Sequence, residues 1–389
     1  DFQFRDGWFG ITDGRGFSLT VKDLTGTDPM SLGDKSMWRP SVHSGGSPGY
    51  DDSAETIPLG SVMISEVLTN PTGGASDWIE LHNTTDASID VGGWFLSDDA
   101  DDLMKYQIPA GSVIAADGYL VLYADEMFDD EDAPGAHRPF GLSRNGETLH
   151  LHSGSGGVLT GYVAQQKFEA SEAGVSLGRH RRRTGDYDFV PLSIATSGQA
   201  NAAPRVGPIV INEIMYNPAA PQYAEYVELV NAGADPVTLY DGVLGAPWRF
   251  TDDPEDPGIE LLLPTDEPVT LAPGQCLLLV KDRLSFSLSY PDVENVSVLA
   301  WGAGKLANGS EKMQLSRSAD VDPGEPAAWI CIDRVTYSDG AHPEDFSPGG
   351  DPWPAEADGQ GLSLHRIDPG TYGNDPVNWK AAAPSPGVR

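Results

Sequence analysis

Val62-Met63-Ile64-Ser65-Glu66-Val67-Leu68-Thr69-Asn70-Pro71 returns later in the chain as Ile209-Val210-Ile211-Asn212-Glu213-Ile214-Met215-Tyr216-Asn217-Pro218, position by position. An aromatic-led apolar run follows each: Trp78-Ile79-Glu80-Leu81-His82-Asn83 after the first, Tyr226-Val227-Glu228-Leu229-Val230-Asn231 after the second. Recurrence in fixed order marks a chain built from repeated structural units. Working outward, Gly118-Tyr119-Leu120-Val121-Leu122-Tyr123 is answered by Gly274-Gln275-Cys276-Leu277-Leu278-Leu279-Val280, and Leu142-Ser143-Arg144-Asn145-Gly146-Glu147-Thr148-Leu149 by Leu306-Ala307-Asn308-Gly309-Ser310-Glu311-Lys312-Met313.

The closing element occurs three times. Gly16-Phe17-Ser18-Leu19 leads to Trp38 and Ser47-Pro48-Gly49; Gly174-Val175-Ser176-Leu177 to Phe189 and Ser197-Gly198; Gly361-Leu362-Ser363-Leu364 to Trp379 and Ser385-Pro386-Gly387. The first of these lacks a matching front half. Residues 1–50 are therefore expected to be the tail of a domain whose beginning is absent. About 50 residues with one or two strands cannot bury an adequate core alone. This tail must pack on its missing front half, on the next domain, or on another chain by strand addition.

Within each repeat, β-branched and aromatic enrichment and closely spaced turns predict strands arranged as a sandwich. Asn145-Gly146 and Asn308-Gly309 lie between apolar runs, as tight hairpins require. Gly 45 and Pro 31 make up roughly a fifth of the 389 residues, well above the average usage of about 12%, which argues against long helices. The length allows two or three domains.

A net charge of -34 repels nucleic-acid phosphates and anionic lipid, so no nucleic acid and no direct membrane insertion are expected. Such a surface suits a salty or calcium-bearing exterior, or simply a soluble acidic protein. No run approaches the roughly 18 to 20 apolar residues that cross a bilayer, and no signal-peptide pattern is present. The chain starts at Asp1 rather than Met, so a processed product or a piece of something longer is expected.

The Ile-Asn-Glu-Ile opening with its Asn-Pro, the aromatic-Val/Ile-Glu-Leu-x-Asn strand and Gly93-Trp94-Phe95-Leu96-Ser97-Asp98 together resemble the bacterial lamin-tail domain. They are most similar to the version in large exported proteins of planctomycete-type bacteria. The resemblance implies an all-β chain of tandem immunoglobulin-like sandwiches without catalytic machinery. Residues 1–56 would be the remnant of a preceding domain plus linker, 57–204 a first lamin-tail-like sandwich and 205–389 a second. The second copy departs from the pattern: Leu239-Tyr240-Asp241-Gly242-Val243-Leu244 stands where the Gly-Trp strand is expected, and Trp248-Arg249-Phe250-Thr251-Asp252 follows.

Gly45-Gly46-Ser47-Pro48-Gly49 fits a hydrolase pattern on paper. That chemistry needs the backbone N–H after the nucleophile, which Pro48 lacks. Glu66 with Glu80, and Glu213 with Glu228, could form an acid/base dyad; recurrence in both copies points instead to solvent-facing or turn-capping carboxylates. His150 and His152 share a strand face, but no third metal ligand is near, and an exposed sheet face is expected. Calcium is the one cofactor that the sequence suggests. Its candidate ligands are acidic loops: Asp98, Asp99, Asp101 and Asp102; Asp125, Asp129, Asp130 and Asp132; Asp252, Asp253 and Asp256; Asp320 and Asp322. Cys276 and Cys331 are either a disulfide or two inert core thiols. The basic run Arg179-His180-Arg181-Arg182-Arg183 is either a solvated loop or a docking patch for acidic loops of a neighbour.

The expected function is a non-catalytic extracellular or cell-surface structural segment that partners with other domains of the same protein or with identical subunits, as a fibre joined head to tail by strand addition. The alternative is an adhesion module gripping polysaccharide through Trp8, Trp94, Trp248, Trp301 and Trp353.

Overall fold

The computed structural model describes residues 4–23, 29–219, 223–321, 326–343, 346 and 349–388. Regular structure is almost entirely β: among the described residues the α-helix is a single short one, Arg283–Ser289. Contacts divide the chain into two compact units, Asp1–Phe168 with Ala173–Gly178 and Ile194–Ala202, and Glu169–Glu172 with Arg179–Ser193 and Ala203–Arg389.

The first unit begins with a small antiparallel hairpin of β1 (Leu19–Val21) and β2 (Trp38–Pro40). Phe9, Ile11, Phe17 and Trp38 are buried together there, against Leu59 and against Leu159 and Val163 of a later strand. The closing tail thus packs on the residues that follow it in sequence. β3 (Val62–Leu68) and β4 (Trp78–Asn83) are antiparallel neighbours. β5 (Phe95–Ser97), β6 (Tyr106–Gln107), β7 (Tyr119–Tyr123), β8 (Gly146–Ser155) and β9 (Val158–Glu169) follow, and β10 begins at Leu177. One sheet has the order β10-β3-β4-β7 and the other β9-β8-β5-β6. The Tyr162 hydroxyl of β9 ties the layers, donating to the Val62 carbonyl at 2.6 Å and accepting its N–H at 2.9 Å.

In the second unit, the rest of β10 (Leu177–Arg181) turns back into β11 (Tyr187–Pro191). Next come β12 (Ile209–Met215), β13 (Tyr226–Asn231), β14 (Tyr240–Asp241), β15 (Ala246–Thr251), β16 (Glu260–Leu262), β17 (Cys276–Val280), helix α1 (Arg283–Ser289), β18 (Ser297–Ala300), β19 (Ser310–Ser318), β20 (Trp329–Ser338), β21 (Ser363–Arg366) and β22 (Trp379–Ala382). One sheet runs β18-β17-β13-β12-β21-β22, the other β14-β15-β19-β20 with β16 on β15. Ile211, Leu229, Leu277, Leu279 and Leu364 of the first sheet meet Phe250, Leu315, Val335 and Tyr337 of the second in a single core. Each such fully buried side chain contributes about 1.5–3 kcal/mol.

Alternation is lost on β13, where all six residues are buried. At Tyr226 the outer face is covered by α1, where Tyr226, Leu278 and Val280 form a separate buried cluster with Phe286 of the helix, and at Glu228 by the closing loop at Gly387. A strand covered on both faces has no polar side to display.

The two units share the same set of core strands, with one correction to the sequence alignment. Leu96 pairs with Leu151 in the first unit and Phe250 with Leu315 in the second, so Trp248-Arg249-Phe250-Thr251-Asp252 is itself the counterpart of Trp94–Asp98. The Leu239–Leu244 stretch does not replace that strand. It contributes an extra hairpin strand before it, with Tyr240 opposite Pro247.

Candidate functional site

A β-bulge occupies the same place in both opening strands, between Ile64 and Glu66 and between Ile211 and Glu213. The extra residue re-aims the side chains beyond it. Its consequence is that Glu66 stands directly across from Glu80, and Glu213 directly across from Glu228. All four carboxylates are at most 1% exposed. Like charges placed opposite one another in an apolar sheet are costly, so each needs strong donors.

The donors come from the closing loop of the same copy. Glu66 accepts the Thr196 N–H at 3.0 Å and its hydroxyl at 2.5 Å, while Glu80 accepts the Gly198 N–H at 2.6 Å. In the second copy Glu213 accepts the Ser385 N–H at 3.0 Å and the Ser363 hydroxyl at 2.6 Å, and Glu228 accepts the Gly387 N–H at 2.6 Å. The bulge residues join in: Asn201 donates to the Ser65 carbonyl at 2.9 Å, and Asn212 to Glu228 at 2.8 Å. The paired glutamates form a clasp that binds the last loop of each sandwich to its first two strands. They are turn-capping, as the recurrence suggests, and buried rather than solvent-facing.

A third recurring carboxylate does similar work. Glu147 accepts the Ser143 N–H at 2.7 Å and Glu311 the Ala307 N–H at 2.6 Å, closing the turns before β8 and β19. Sequence reasoning places these positions in the repeat without assigning them a role. Their spacing, four residues after the same turn start in both copies, is the signal that could have done so.

Burial pushes Glu80 up to about 7 from 4.5, and Glu147 and Glu311 likewise to about 7. Burial also raises Glu228. Glu213 is lowered: burial opposes this, but hydrogen bonds from His365, Ser363 and Tyr226 outweigh it. A carboxyl whose folded pKa exceeds its unfolded value holds its proton more tightly when native, so stability falls as pH rises through the interval between the two. Glu213, shifted the other way, loses its contribution only below 4.5 and leaves the neutral window unaffected. Calorimetry from pH 5 to pH 8 is therefore expected to give a melting temperature that drops by about 5 °C or more. Glu80→Gln should flatten that slope, separating the buried carboxyl from the general repulsion of an acidic surface; a melting temperature that climbs over this range would contradict the assignment.

Ser363, His365 and Glu213 lie together but do not form a relay. One nitrogen, His365 Nε2, faces both Ser363 Oγ at 2.9 Å and Glu213 Oε1 at 3.2 Å. A triad needs the base to hold its orienting acid through the other ring nitrogen. Here the serine hydroxyl donates to the carboxylate itself.

The calcium candidates are dispersed. Asp98 is paired with Lys105 at 2.6 Å, and Asp99 caps the Asp101 N–H at 2.8 Å. Asp102 is paired with Arg138 at 2.7 Å, and Asp130 caps the Asp132 N–H at 3.0 Å. Asp125 and Asp129 lie on and just beyond the turn 124–126. Asp252 accepts the Asp253 N–H at 2.8 Å, and Asp253 accepts the Glu255 N–H at 2.8 Å and the Asp256 N–H at 3.4 Å. Asp322 lies outside the described residues, whereas its neighbour Asp320 is exposed. Among the described residues no three His, Cys, Asp or Glu side chains gather as a metal site.

Cys276 stands on β17 and Cys331 on β20, in different sheets, and the two sulfurs are not joined. Burial pushes the Cys331 thiol up. His152 is 5% exposed, which corrects the expected open face, and burial holds its pKa down at about 3. With His150 it lines a cavity of about 620 Å³ whose wall also includes Trp8, Arg15, Lys35 and Met63. Arg15 there donates to the Ala100 carbonyl, and Lys35 lies 4.9 Å over the Phe9 ring.

In the basic run, Arg179 stacks on Tyr187 at 4.0 Å and Arg182 pairs with Asp186 at 3.3 Å and Asp188 at 3.5 Å. The Arg183 N–H reaches Asp375 at 3.3 Å, so the run meets acidic residues of its own unit. Trp94, Trp248, Trp301 and Trp353 are all 6% exposed or less, core residues rather than the exposed sugar platforms of the alternative reading, while Trp8 is half-buried. Ser47 lies between two turns, with no strand-to-helix elbow.

A sequence model of the Lamin Tail Domain family matches residues 55–166, the span that holds Glu66, Glu80 and Glu147. No curated protein matches the chain. Among solved structures, the chain is similar to a DUF4876 family protein from Bacteroides thetaiotaomicron, at 12% identity, with 84% of this chain and 96% of that chain covered and a TM-score of 0.29.

Proposed function

We propose that this chain is a non-catalytic structural segment of a large secreted or cell-surface protein, built to carry load along its length. The observation that carries this reading is the clasp: both copies spend their buried glutamates on their own closing loop, Thr196 to Gly198 and Ser385 to Gly387. An active site would keep such groups facing a cavity and would tolerate loss of one copy. A fastening is needed in each.

Strand directions support the same reading. β12 is antiparallel to β21, and β21 to β22, so β22 runs parallel to β12. Tension applied to the two ends of the copy then pulls β12 and β22 in opposite senses and loads in shear the hydrogen bonds that join each of them to β21, which lies between them, all at once rather than one by one. The clasp adds charge-assisted bonds across that path. A net charge of -34 suits an exterior where cations screen self-repulsion. Head-to-tail joining of such segments would extend them into a fibre.

Immunogold electron microscopy of the cells that make the protein tests the proposal. Label is expected on the cell surface or on material outside it. Label confined to the cytoplasm would sink the reading.

A further inference from the structure

The tail hairpin β1–β2 reproduces the closing hairpin of a complete sandwich residue for residue. Leu19 pairs with Pro40 and Val21 with Trp38, as Leu364 pairs with Ala381 and Arg366 with Trp379; in both, the leucine meets the residue two beyond the tryptophan. The tryptophans also make the same bond six residues back, Trp38 Nε1 to the Leu32 carbonyl at 2.9 Å and Trp379 Nε1 to the Gly373 carbonyl at 2.7 Å.

One neighbour differs. In the complete copies the strand that starts the hairpin is also paired on its other edge with the opening strand: Leu177 with Val67 and Gly178 with Glu66, Leu364 with Ile214 and His365 with Glu213. Among the described residues β1 pairs with β2 alone. Its bonds to that side run through Ser18 and Lys22, so strand alternation turns the amides of Leu19 and Val21 to the open edge. Burial follows suit: Ser176 and Ser363 are fully buried and Leu177 and Leu364 nearly so, whereas Ser18 is exposed and Leu19 half-buried.

We infer that the open edge of β1 is the seat of an opening strand of the Val62–Leu68 kind, supplied by a preceding sandwich of the same polypeptide. The incoming strand would set a glutamate opposite Thr20 and an aliphatic residue opposite Leu19. That glutamate would accept the Ser18 hydroxyl and the Ser47 N–H, as Glu213 accepts those of Ser363 and Ser385. A second copy of this chain is a poor donor, because β3 and β12 each already lie between two strands.

This inference rests on reading the chain as part of a tandem array, but its test does not depend on where the protein resides. The full chain is mixed with a synthetic peptide of residues 208–217, and amide exchange is followed at Leu19 and Val21. Protection of both amides that saturates below about 1 mM peptide is expected. The same peptide carrying Glu213→Ala should bind at least tenfold more weakly. Because that change is on the peptide, the folding of the chain is not at stake. Fast exchange throughout, or equal binding of the two peptides, would overturn the inference. So would amides protected without peptide in proportion to chain concentration, since a second copy would then fill the edge.

Discussion

Glu213→Ala is expected to destabilise the second unit by about 4 kcal/mol, the cost of stripping a buried carboxylate from several donors at once. The Tyr226 hydroxyl, the Ser363 hydroxyl and the Ser385 N–H all converge on Glu213 Oε1, and His365 stands 3.2 Å from it. Alanine leaves each of these buried or half-buried groups without its acceptor and opens a void between β12 and the closing loop. For a unit of this size the melting temperature should fall by about 10 °C. Native-state amide exchange should show the loss at residues 363–387 and leave the first unit, with its own clasp at Glu66 and Glu80, at its wild-type protection. Glu213→Gln keeps an acceptor for the Ser385 N–H and should cost less than half as much. The measurement also separates fastening from catalysis: a catalytic carboxylate held at the expense of stability would leave the protein as stable or more stable on removal. A Glu213→Ala protein that melts as wild type does would refute the clasp.

The repeat made most of this legible. Paired strand signals and hairpin turns gave the sandwich, and recurrence alone put Glu66 and Glu80 on a par with Glu213 and Glu228. Their burial was not legible, because it depends on the bulge at Ser65 and Asn212, and a bulge adds one residue without changing residue type. The same limit misplaced Trp248: an added hairpin shifted the register, and a tryptophan reads alike in a loop or a core until its cross-strand partner is known. His152 looked exposed for the converse reason, since the sequence did not say that the tail lies over that part of the first unit, where Trp8, Arg15 and Lys35 line the same cavity. Asp333 with Arg366 gave no signal at all. The pair is found in the second copy, its members lie 33 positions apart, and no repeat or spacing connects them.

That pair supplies the second large effect. Arg366 Nη1 is 2.6 Å from Asp333 Oδ2, and both side chains are no more than 4% exposed. Asp333 sits on β20 in one sheet and Arg366 on β21 in the other, and together they satisfy the bulge of β12: the Ile211 N–H donates to Asp333 at 2.8 Å, and Arg366 donates to the Ile211 carbonyl at 3.0 Å. Arg366→Met removes the cation and leaves a carboxylate in an apolar interior, which is expected to cost about 3–5 kcal/mol in denaturant unfolding. Burial already raises Asp333, against the pull of the arginine. With the arginine gone the carboxyl takes up a proton more readily, so the loss should shrink as pH falls from 8 to 5. Adding Asp333→Asn to Arg366→Met keeps an acceptor for the Ile211 N–H while removing the stranded charge. The double variant should regain at least half of the lost stability, because the cost of breaking the pair lies mostly in the uncompensated charge. If the single and double variants are equally destabilised, the two residues are not coupled and the bulge is held by packing alone.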